Sequence, residues 1–183
     1  MASAGQVVAP ASLLQRLLPN WLLAALSLVM ALAALVAIVR GFGRWGALPP
    51  VGWLHLMTIL VATFLTPVML LRPKGTRPHR RLGYVWAGAM VLTAVTSLFF
   101  KVRGDSVSSM GVSSMGVFSG DFSPIHILSV FVLVMVPVAV LRARRHDRAG
   151  HESAIRGLVI GALLVAGFFT FPYGRLLGTW LFG

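Results

Sequence analysis

Four of the five histidines in this 183-residue chain, His55, His79, His126 and His151, stand in or at the start of long apolar runs. The fifth, His146, sits between arginines. Imidazole titrates near neutrality, relays protons and ligates metals through either ring nitrogen. The chain has no cysteine and only four acidic residues. That removes disulfides, thiolate-bound zinc and iron–sulfur clusters, and leaves His, Met and a few carboxylates for any metal or redox site. No phosphate-binding loop, Gly-x-Ser-x-Gly or His-Glu-x-x-His pattern is present, and His151-Glu152 lacks the second His of the last. No catalytic residue is assigned. Three chemistries stay open for the histidines. They are an interhelical hydrogen bond, a proton relay, and paired axial ligation of a metal, as bis-His haem b is held in helical bundles.

The elements that must carry these residues are membrane helices. Hydrophobic residues make up 57% of the chain and charged residues 11%, with a mean hydropathy of +0.87; a soluble domain carries about 25% charged residues. Five stretches free of Lys, Arg, Asp and Glu are expected to span: 22–39, 51–71, 82–100, 124–141 and 157–173. A hydrocarbon core of about 30 Å needs roughly 20 helical residues, with a lower limit near 17. The runs are apolar all round, whereas a barrel requires alternation. The fold expected is all-α, a polytopic bundle of about five transmembrane helices over 22–175. A cytoplasmic segment, 1–21, precedes it, and an interfacial tail, 176–183, follows. Ala31-Leu32-Ala33 resembles a signal-peptidase site, but the apolar run continues through Val39 and reads as a retained helix.

The net charge of +12 comes from 16 Lys and Arg. They lie between apolar runs, so they set orientation and do not point to nucleic acid. The loop 72–81 holds Arg72, Lys74, Arg77, Arg80 and Arg81; the loop 142–156 holds Arg142, Arg144, Arg145, Arg148 and Arg156. With Arg16, eleven basic residues fall on one side and five on the other. The N-terminus and the two basic loops are therefore expected in the cytoplasm and the protein in the inner membrane. His55 and His126 then form an outer layer, and His79 with His151 an inner one. From His55 to Leu71 is about 24 Å of helix, so the two layers are well separated.

Other features complete the pattern. Val107–Gly111 is repeated as Val112–Gly116, a small polar loop whose two Met are a thin basis for a Cu(I) site. Pro67 and Pro137 fall inside apolar runs and are expected to kink them. Trp45, Trp53, Tyr84, Trp86, Tyr173 and Trp180 are expected to form interfacial belts. Gly157 and Gly161 form a small-x-x-x-small face, expected to pack closely on another helix. Arg156 is expected to snorkel to headgroups, or else to hold an anion.

The segment from His55 through Arg72-Pro73-Lys74-Gly75-Thr76 to His79-Arg80-Arg81-Leu82-Gly83-Tyr84-Val85-Trp86 resembles a bacterial family of predicted membrane proteins to which no activity is attached. The resemblance runs over roughly 52–175 and takes in His151 and Arg175. More distantly, the layout is similar to the ascorbate-reducible transmembrane di-haem cytochrome b superfamily. That likeness implies an outer ligand pair on helices 2 and 4, here His55 and His126, and an inner pair on helices 3 and 5, here His79 and His151. It also implies an anion-binding cluster before helix 3, where Lys74, Arg77 and Arg81 stand. The short His55–His79 spacing and the long loop after helix 3 depart from that superfamily.

Two functions follow as expectations. The first is a haem-b electron-transfer protein with bis-His ligation. In it, Lys74, Arg77, Arg80, Arg81 and Arg156 meet propionates or an anionic electron donor, and a quinone is the other candidate partner. The second is a non-enzymatic membrane protein, such as a small transporter, sensor or partner subunit of a homo- or hetero-oligomer, whose histidines are structural or proton-relay groups. No acidic residue lies inside a span, which weakens an ion-coupled transporter.

Overall fold

A computed structural model of the chain describes residues 17–100, 124–172 and 175–183. The tandem repeat, Lys101, Arg103 and Tyr173 lie outside the described residues. Those described form helices and turns: α1 (Asn20–Arg40), a 3₁₀ segment (Phe42–Ala47), α2 (Pro50–Leu71), α3 (Arg77–Ser97), α4 (Pro124–Arg144), α5 (Arg148–Phe168) and α6 (Leu176–Phe182).

The helices extend past the charge-free runs because capping, not charge, sets where a helix begins. Thr76 accepts a hydrogen bond from the His79 amide and starts α3 well before Leu82. Asp147 accepts one from the Gly150 amide and starts α5 nine residues before Gly157. Pro50 occupies the first turn of α2, where its missing N–H leaves no bond unmade. Pro67 and Pro137 are taken inside α2 and α4. From Leu158 to Val165, α5 winds as a π-helix, which the sequence reading did not anticipate.

Each helix packs on its sequence neighbour, α1 to α2 to α3 to α4 to α5, and the π-helical part of α5 returns to α1. The bundle is thus a closed ring in which α2 and α4 are not packed neighbours, nor are α3 and α5. Leu23, Trp86, Met90, Val132, Leu158 and Leu163 fill its centre. A second cluster, with Ile38, Leu48, Leu177 and Trp180, seats α6 on the end of α1. Gly41 is needed there, since a Cβ would lie 2.4 Å from the Trp180 ring. The outward surfaces are as apolar as the core: Val29, Leu35, Val61 and Val134 are exposed.

Two expectations are corrected. Gly157 has open space around it and Gly161 meets only Phe131 at 3.9 Å, so neither is a close-packing point. The close approach on α5 is at Gly167, where a Cβ would lie 2.3 Å from Met30 Sδ. Trp86 does not join an interfacial belt. It is 4% exposed, and its Nε1 donates to Thr66 Oγ1 at 3.0 Å, tying α3 to α2 inside the core.

Candidate functional site

His55 lies on α2, in the first turns of a helix that α3 flanks. A carbonyl oxygen only accepts, so Nδ1 must carry the proton where it meets Thr93 O at 3.1 Å. The same nitrogen is 3.1 Å from Thr96 Oγ1, whose own proton goes to the carbonyls of Leu92 and Thr93. The tautomer is fixed, and the lone pair is on Nε2. Phe100 packs edge-on against the ring at 5.0 Å between centroids.

His151 repeats this arrangement at the other end of the bundle. Its Nδ1 donates to Ala139 O of α4 at 2.8 Å, again leaving the lone pair on Nε2. In both cases the carbonyl comes from the helix that lies between the two histidine-bearing helices of that layer. His55 on α2 bonds to α3, which separates it from α4. His151 on α5 bonds to α4, which separates it from α3.

Their counterparts sit on the helices opposite. His126, in the first turn of α4, is fully buried. One turn further on, Ser129 meets Ser97 of α3 with oxygens 2.5 Å apart. His79, in the first turn of α3, has a buried Nδ1 with no hydrogen-bond partner among the described residues. Burial, then the nearby His151, Lys74 and Arg72, hold its pKa below the usual 6.5, so it is neutral at physiological pH. The influence of His151 puts the two inner histidines in one electrostatic neighbourhood. His146 is exposed in the turn between α4 and α5, with a positive φ of 60°.

The cations expected to meet an anion separate into three environments. Lys74 pairs with Glu152 at 3.2 Å. Arg156 does not snorkel outward. It is 5% exposed, and its guanidinium donates to Asn20 Oδ1 at 2.5 Å and to the Leu18 carbonyl, pinning the start of α1 to α5. Arg77, Arg80 and Arg81 remain exposed and, with Tyr84, line a concavity of about 320 Å³. A longer groove of about 720 Å³ runs on from Tyr84 between α3 and α4. Neither is lined by a histidine, and among the described residues no three His, Asp or Glu side chains gather as a metal site.

The histidines were found from their positions in apolar runs. The hydroxyl cluster beside His55 was missed, although Thr93, Thr96 and Ser97 follow an i, i+3, i+4 pattern inside an apolar stretch, which marks one polar helix face.

Fold and surface together define a multi-pass helical membrane protein. Four helices, Asn20–Arg40, Pro50–Leu71, His126–Arg144 and Arg148–Phe168, are long and apolar enough to cross a bilayer. The remaining long helix, α3, is apolar from Leu82 onward, after the arginines of its first turns. Comparison with family models, curated proteins and solved structures finds no match.

Proposed function

We propose that this chain is a haem-b-binding electron-transfer protein of a bacterial inner membrane, with the N-terminus and both basic loops in the cytoplasm. One observation carries the proposal. The four histidines form two layers, the two of each layer on helices separated by one other, and one in each layer is tied through Nδ1 to a backbone carbonyl of that intervening helix. A ligating histidine is oriented in this way, because the bond at one ring nitrogen fixes the tautomer and raises the basicity of the other. The buried Nδ1 of His79, without a hydrogen-bond partner among the described residues, supports the inner pair, since such an atom calls for a ligand or other partner.

Haem, when bound, supplies one-electron redox chemistry. The residues of the chain do the rest. His55 and His126 present ligand nitrogens at the outer level, His79 and His151 at the inner. Burial and neighbouring cations keep His79 deprotonated and therefore able to ligate. Thr96 steadies the His55 ring by accepting beside the Thr93 carbonyl. The basic loops attract an anionic donor through their summed field.

A second reading rests on the same bonds. His55–Thr93 and His151–Ala139 are sufficient as interhelical ties, so a non-enzymatic transporter, sensor or partner subunit would use them as they stand. An absorption spectrum of the detergent-purified protein, air-oxidised and then dithionite-reduced, separates the two. A Soret band with a sharp reduced α-band is expected, lost in His55→Ala and His126→Ala and kept in His146→Ala. The haem-to-protein ratio reports whether His79 and His151 hold a second haem. A colourless protein after expression with added haem leaves the non-enzymatic reading.

A further inference from the structure

The groove between α3 and α4 is not used by the proposed haem ligands, and its two ends differ in chemistry. Its walls are apolar, with Val91 and Val95 on α3 and Pro137 and Val140 on α4. Gly88 lies in its α3 wall, and a Cβ there would meet nothing within 4 Å. At the basic end, Arg144 Nη2 donates to the Tyr84 hydroxyl at 3.4 Å, and Tyr84 also lines the concavity formed by Arg77, Arg80 and Arg81. The two hollows therefore meet at Tyr84, and four guanidinium groups surround the junction.

We infer that this groove is a binding site for one anionic phospholipid of the leaflet on the basic side. An acyl chain would lie along the groove, and the phosphate would sit among Arg77, Arg80, Arg81 and Arg144. Length supports this occupant. From Tyr84 to Val95 the α3 wall runs about 16 Å at the helical rise, about half of a hydrocarbon core of about 30 Å, which is one leaflet. Charge supports it as well. No acidic side chain lines either hollow, so a neutral amphiphile would leave four cations without counter-charge. Guanidinium groups bind phosphate oxygens in bidentate pairs. The inference is independent of haem.

The test uses the full chain in nanodiscs of equal phosphatidylglycerol and phosphatidylethanolamine, extracted in mild detergent, with retained lipid read by native mass spectrometry. Wild type is expected to keep one phosphatidylglycerol in preference. Gly88→Leu extends a side chain from a wall position where a Cβ meets nothing within 4 Å, and is expected to lower retention about tenfold, equivalent to 1.4 kcal/mol. Arg80→Gln and Arg81→Gln are expected to lower it about fivefold each. Val29→Phe, on the lipid-facing side of α1, is expected to leave it unchanged. Equal retention of the two lipids by wild type, unchanged retention in Gly88→Leu, or an equal loss in Val29→Phe would each overturn the site. Both arginine variants change exposed side chains, so the question stays decidable if Gly88→Leu does not fold.

Discussion

Each end of the bundle carries one pair of histidines, and the side chains that tie the helices around the two pairs differ. At the end where α2 and α4 begin, the polar groups that link the helices around the histidines are hydroxyls. Thr58, Thr93 and Thr96 link α2 to α3, Ser97 meets Ser129, and Trp45, Trp53 and Trp180 close the end with ring contacts. At the basic end charges tie the elements together, Lys74 to Glu152 and the Arg156 guanidinium to the start of α1. Hydroxyls can return their protons to carbonyls of their own helix, so they sit in an apolar run at little cost. Charges need a position where water or a counter-charge is within reach. The histidine layer at the hydroxyl end should therefore be indifferent to salt, and the layer at the basic end responsive to it.

The strongest way to break this comparison is Arg156→Leu. It removes the donor to Asn20 and Leu18 and is expected to cost about 2 kcal/mol, the scale of a hydrogen bond from a charged group. It also frees the segment before α1. Unfolding in a detergent–SDS titration reads the first effect, and proteolysis near residue 18 the second. A loss below about 0.5 kcal/mol, the range of an ordinary surface substitution, would mean that charge does not organise this end.

In the core between the two ends, Trp86→Phe loses one bond to Thr66 and is expected to cost about 1 kcal/mol. At the hydroxyl end, effects should be smaller and coupled. Ser97→Ala and Ser129→Ala should each cost about 0.6 kcal/mol, typical of a hydrogen bond between membrane helices. The double variant should cost less than the sum of the two, because both remove the bond they share. Additive losses would show that the two hydroxyls act separately.

The architecture was legible because lipid demands it: long apolar runs, punctuated by arginines, leave one architecture. Helix starts were less legible, since Thr76 and Asp147 extend α3 and α5 into sequence that a charge count rejects. The depth of each histidine could be counted along its run, but its partner could not. Thr93 and Ala139 contribute backbone oxygens, which every residue has and which leave no trace in sequence. Arg156 was misplaced for a related reason. A basic residue at a helix start is ordinarily solvated, and its burial depends on Asn20 and Leu18, more than 130 residues away. Gly157 and Gly161 fit a packing motif, yet the ring order turns them away from any close neighbour.

The smallest effect sharpens the comparison most. Lys74 and Glu152 are both partly exposed, so breaking their pair in Lys74→Gln should cost only about 0.5 kcal/mol and less at high salt. The same change acts on His79, whose pKa Lys74 helps to depress. A histidine with a depressed folded pKa leaves the folded state at full stability above its unfolded value of about 6.5. Stability then falls with pH, from that value down to the folded pKa, because the unfolded chain takes up the proton first. Removing Lys74 should raise the folded pKa toward 6.5 and narrow the window over which stability is lost. NMR titration of the His79 ring reads the shift, and unfolding at a series of pH values between about 7 and 5 reads its consequence. His55 belongs to the hydroxyl end and should titrate identically in both proteins. A shift at His55 equal to that at His79 would mean that the charges act on the whole bundle, and the division between the two ends would fail.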